Sequence, residues 1–65
     1  MKLGRRIADT TAGRCEMKLE LSDRTLVAEV DHLHQGDSVE WSVDEGIVII
    51  TPSSGEPRIY PCRVA

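Results

Sequence analysis

The chain has no phenylalanine, one tryptophan, one tyrosine and two cysteines among its 65 residues. Its interior must therefore be built from Val, Ile and Leu. A chain of this length buries only about 60% of the surface it exposes when unfolded. Domains this small are held by a disulfide, a metal or a partner chain, and a dimer sharing one core would meet the need. Cys15 and Cys62 are far apart in sequence. In a reducing compartment they are free thiols; in an oxidising one a bridge between them would act as a staple. No stretch approaches the roughly 18 apolar residues of a membrane span. Residues 1–10 lack the apolar run of a secretory leader, so the expected location is the cytoplasm. Internal repeats and low-complexity segments are absent. So are a glycine-rich phosphate loop, a nucleophile elbow and a paired-cysteine ligand set. Accordingly no enzyme, no cofactor and no metal is expected.

Positive charge is scarce, and it is unevenly placed. The formal net charge is -3, which argues against a general nucleic-acid coat, because such a coat displaces counterions with a basic stripe. Yet Lys2, Arg5, Arg6, Arg14 and Lys18 fall within the first eighteen residues, where Asp9 and Glu16 are the only acids. From residue 23 to 45 acids dominate.

The strongest pattern is residues 36–52, GDSVEWSVDEGIVIITP. Gly36-Asp37 is a turn pair. Val39, Trp41 and Val43 alternate with Ser38, Glu40, Ser42 and Asp44, the period of a strand with one face buried. Asp44-Glu45-Gly46 is a tight-turn signal. Ile47 to Ile50 is a β-branched run expected to be covered on both faces. Thr51-Pro52 ends it, since proline cannot donate to a ladder. The stretch reads as a β-hairpin.

Upstream, residues 1–14 read as a partly flexible arm with a short strand at 3–8. Cys15, Met17, Leu19 and Leu21 alternate with Glu16, Lys18 and Glu20, a half-buried strand. Ser22-Asp23 offers a helix cap. Leu26, Val27, Val30 and Leu33 follow at helical spacing, so a helix is expected over 23–33, closed by Gly36. Leu26, Ala28 and Val30 also alternate, and the strand alternative stays open. Residues 53–65 read as a loop and a tail, in which Pro61 confines 58–64 to an edge strand.

His32 and His34 form an H-x-H. On a strand both would point one way and could hold a metal with Cys15 or Cys62; at the end of a polar helix they are solvated, and the second reading is preferred. Trp41 is read as a core or dimer-interface residue, because its neighbours Glu40 and Ser42 are wrong for base stacking. Glu16, Glu20, Glu40, Asp44 and Glu45 are read as a solvated sheet face. The basic residues Arg5, Arg6, Arg14 and Lys18 are the best candidates for phosphate contact, and a two-fold dimer would double them.

The order Gly13-Arg14, alternating strand, short helix, Gly36-Asp37-Ser38-Val39-Glu40-Trp41 and closing hairpin resembles the AbrB/MazE family of swapped-hairpin DNA-binding domains. The resemblance covers residues 11–52 and is most specific in GDSVEWSVDEGIVIITP. It implies a mainly β fold with one short helix, in which two chains interleave hairpins into a dimeric β-barrel; a small monomeric five-stranded β-barrel is the alternative. The shared core would be Leu19, Leu21, Val39, Trp41, Val43, Ile47 and Ile49. The resemblance implies DNA contact through Arg14, with Lys18, Arg24, Arg5 and Arg6 as further candidates. It divides the chain into an arm (1–14), a hairpin domain (15–52) and a tail (53–65), which in antitoxins of this type binds a toxin. The expected function is thus a homodimeric DNA-binding transcriptional regulator, the antitoxin of a toxin–antitoxin pair being one form of it. The alternative is a small β-barrel protein-interaction or accessory module without nucleic-acid binding, in which residues 26–30 form a strand and an acidic surface faces a basic partner.

Overall fold

A computed structural model describes residues 3–65. Lys2, counted above in the basic stretch, lies outside them. The elements are β1 (Leu3–Ile7), β2 (Ala12–Glu20), β3 (Thr25–Leu33), β4 (Ser38–Ser42), β5 (Ile47–Thr51), β6 (Arg58–Pro61) and β7 (Arg63–Val64). They form a four-stranded sheet, β1-β4-β5-β6, and a three-stranded sheet, β2-β3-β7, with every pairing antiparallel.

The hairpin expected in residues 36–52 is β4–β5. Val39 lies opposite Ile50, and Trp41 opposite Val48. Its turn depends on Gly46, whose φ of 69° is a left-handed conformation that glycine adopts without a Cβ clash. The Gly46 amide donates to the Ser42 carbonyl at 2.9 Å. β2 also follows its alternation: Met17 and Leu19 are buried, while Glu16, Lys18 and Glu20 are exposed.

The helix expected over 23–33 is not formed. Those residues make the β2–β3 turn and then β3, which pairs with β2 from Ala12 opposite Leu33 to Glu20 opposite Thr25, interrupted at Gly13 and His32. The physical reason is pairing. A nine-residue strand such as β2 leaves a row of amides and carbonyls that need partners, and Thr25, Val27 and Val30 are β-branched residues suited to a pleated surface. Ser22 and Asp23 belong to the turn, where the Leu21 amide donates to the Arg24 carbonyl at 2.8 Å. Gly36 ends no helix; with φ of 97° it serves the turn into β4.

The two sheets pack face to face. Met17, Leu19, Leu26, Ala28, Val30 and Leu33 from one meet Val39, Val48 and Ile50 from the other, with Ala8, in one buried cluster. The monomeric five-stranded barrel is not formed, because the two sheets of the chain are separate and do not close into a ring. A single copy already has its own core. Leu19 and Val39, assigned above to a shared core, are buried within it, and Leu21, Trp41 and Val43 pack against its margin. Ile47 and Ile49 lie elsewhere: only Val48 and Ile50 of the apolar run are buried, and Ile47 and Ile49 are half-buried. The expectation of cover on both faces fails because a two-layer molecule has no third layer to lie over β5.

Residues 3–14, expected as an arm with a strand at 3–8, hold β1 and the first residues of β2. β6 is an edge strand, as Pro61 requires. No helix of the described residues is long and apolar enough to cross a membrane.

Candidate interaction surfaces

Strand alternation places many of the chain's charges and four of its five isoleucines on two outward faces. On the outer face of the four-stranded sheet, one cross-strand row runs Arg5, Glu40, Ile49, Ile59 and the next runs Ile7, Ser38, Thr51. A further row holds Ser42, Ile47 and Pro61. Ile59 is 65% exposed and Ile7 55%. An antiparallel sheet with one solvated face is expected to carry polar residues there; this one carries four isoleucines. Within the face, Arg5 Nε donates to Ser38 Oγ at 3.1 Å. Ser42, only 2% exposed, has a buried hydroxyl without a hydrogen-bond partner.

The outer face of the three-stranded sheet is a lattice of charge. Arg14 Nη2 lies 3.5 Å from Glu29 Oε1, and Arg14 Nε lies 3.7 Å from Asp31 Oδ1. Arg63 Nη2 reaches Glu16 Oε2 at 3.3 Å. Val27 sits on this face, between Lys18 and Arg63 in the register, yet is only 3% exposed. Long cationic side chains cover apolar surface with their stems while the head stays in water. Arg24 pairs with its neighbour Asp23 at 3.0 Å.

The five candidate DNA contacts are therefore dispersed. Arg14 and Lys18 project from the outer face of one sheet and Arg5 from the outer face of the other, so they point from opposite sides of the sandwich. Arg6 alternates with Arg5 on β1, and Arg24 lies in the β2–β3 turn. Arg14 and Arg24 each lie within ion-pair distance of a carboxylate.

A groove of about 510 Å³ runs between the turn after β3 and the β5–β6 loop, lined by His34, Gln35, Asp37, residues 52–56 and Arg58. Asp37 is 2% exposed. Its Oδ2 accepts the His34 amide at 3.0 Å, and its carbonyl accepts the Ala8 amide at 2.9 Å. His34 Nδ1 is 4.0 Å from Asp37 Oδ2, an ion pair only when the ring is protonated. Beneath the groove Arg58 joins the sheets: its Nη2 donates to the carbonyls of Asp31 and His32, both at 3.0 Å. The Tyr60 hydroxyl adds a longer contact to Asp31 at 3.4 Å. These side chains cap β3 where His32, at φ 54°, turns left-handed. His32 and His34 are both exposed, and the described residues contain no group of three or more His, Cys, Asp or Glu that could hold a metal ion.

Sequence reasoning missed Arg58. The available signal was alternation: Arg58 and Tyr60 share a face of β6 with the inward residues Ile50 and Val48 opposite them. Cys15 and Cys62 are free thiols, both half-buried, and burial pushes the Cys62 thiol up from its ordinary 9.0.

The chain matches no family model, no curated protein and no solved structure.

Proposed function

We propose that the chain is a small protein-interaction module that docks a partner on the outer face of its four-stranded sheet and carries out no catalysis of its own. The observation that supports this reading is four isoleucines on that face, exposed Ile7 and Ile59 and half-buried Ile47 and Ile49, which the sandwich leaves without a covering layer. Apolar side chains gathered on one uncovered face of a small protein point to an interaction site. Glu40 lies within the face, Glu45 in the turn at its end, and the whole chain is acidic. The fitting partner is a protein with an apolar patch rimmed by Lys or Arg. The strand at Thr25–Leu33 also supports the reading, since the regulator reading drew on a helix there and on clustered cations.

The two readings differ in a direct experiment. The full chain, immobilised, should retain a basic protein from the source cell. Ile59→Glu should abolish that retention without changing the circular dichroism, and Arg14→Ala should leave it intact. Refutation would be a shift of DNA at low salt that is lost as salt rises and weakened by Arg14→Ala, with Ile59→Glu silent. That outcome would restore the regulator and remove the docking face.

A further inference from the structure

The free edge of β2 carries a charge pattern that is its own complement. β2 is nine residues long and pairs with β3 on one side; on the other, no strand of the described residues adjoins it. An unpaired edge of this length presents a row of amides and carbonyls to any second strand. Its outward residues are Arg14, Glu16, Lys18 and Glu20, all exposed, so the signs alternate plus, minus, plus, minus.

An antiparallel second copy reverses that order. With the two-fold axis at Met17, Arg14 faces the partner's Glu20 and Glu16 faces the partner's Lys18, and the symmetry repeats both pairs. On the inward face Met17 meets the partner's Met17, and Cys15 meets the partner's Leu19. Every charge then lies opposite its counter-charge, and these apolar residues meet one another. Moving the axis by one residue, to Glu16 or to Lys18, sets like charges opposite each other, which is destabilising. Moving it by two, to Cys15 or Leu19, shortens the ladder and discards half of the charge pairs. Charges on an edge normally discourage pairing; this alternation discourages the neighbouring registers and favours one. The contacts that Arg14 and Glu16 make within the chain are 3.3 to 3.7 Å long between side chains at least half exposed. Such pairs are weak and do not hold the row against a cross-strand partner.

We propose that two copies of the chain associate through their β2 edges, antiparallel, with Met17 on the two-fold axis, so that the three-stranded sheets join into one continuous sheet. This interface is isologous and exchanges no element between copies. It uses a different surface from the isoleucine face, so either proposal can fail without the other.

The test is sedimentation equilibrium of the full chain at low salt, from about 10 micromolar to about 1 millimolar. A reversible dimer is expected, weakening as salt rises. Lys18→Glu and Glu16→Lys each place like charges opposite one another twice. Each should raise the dissociation constant at least about tenfold, while circular dichroism shows both variants folded. Mixing the two variants should bring dimers back, because each row then complements the other. A wild type that stays monomeric throughout would overturn the proposal. So would a folded Lys18→Glu that dimerises as well as the wild type, or folded single variants whose mixture stays monomeric.

Discussion

Gly4 lies opposite Trp41 in the β1–β4 ladder, and a Cβ built on it would fall within the indole, against Cε2, Cζ2 and Nε1. The ring rests on bare backbone, so Gly4→Ala must evict it. Trp41 is half-buried and packs against the core. A fully buried Trp covers roughly 150–250 Å². Lifting this ring returns about 100 Å² to water, which at about 25 cal/mol per Å² costs about 2.5 kcal/mol. The higher strand stability of Ala over Gly returns roughly 0.5–1 kcal/mol, so the net loss is about 2 kcal/mol. For a domain of this size that lowers the melting temperature by about 10 °C. It is a large share of the roughly 3–5 kcal/mol that a single small core supplies. Because Trp41 is the only tryptophan, its emission reports on this one contact and should shift to the red. The coupling is separable: in a Trp41→Ala background, Gly4→Ala should cost almost nothing, which a double-mutant cycle measures directly. If Gly4→Ala keeps both the melting temperature and the emission maximum of the wild type, or if the two substitutions prove additive, the stacking argument is wrong.

Two further outcomes follow from the side chains at the junction of the sheets. Arg58→Met keeps an apolar stem but removes the donors that cap the Asp31 and His32 carbonyls; urea denaturation should show a loss of about 1–2 kcal/mol with an unchanged slope. Burial raises the Cys62 thiol above its ordinary 9.0, so folding favours the neutral form. That contribution is present at neutral pH and is lost as pH climbs through 9 and beyond. In a Cys15→Ser variant, alkylation of Cys62 near pH 8 should be slower in the folded chain than in urea, with its pH midpoint displaced upward.

The β4–β5 hairpin and β2 were legible because each alternates with one face in water and one in the core. β3 was not, and Val27 explains why. It occupies the outward face but is buried beside Lys18 and Arg63. Apolar residues therefore fall on both sides of the strand, and Leu26, Val27, Val30 and Leu33 satisfy a helical repeat as well as a strand. A single-strand pattern cannot reveal cover that comes from a neighbouring strand. The same blindness acted in reverse on β5, where a β-branched run suggested two covered faces and only one is covered. Charge clustering along the sequence did not survive folding either, because residues four or more apart can leave different sheets. Arg58 escaped notice since its role lies in reaching the carbonyls of β3, a contact with no local signature.

β6 closes one sheet and β7 extends the other, with only Cys62 between them. β6 and β7 thus act as a stitch through both layers. While residues 58–64 are still inside the ribosome, neither layer has its last strand and Arg58 cannot reach β3. A single deletion of residues 58–64 would therefore take an edge strand from each layer and Arg58 from β3 together.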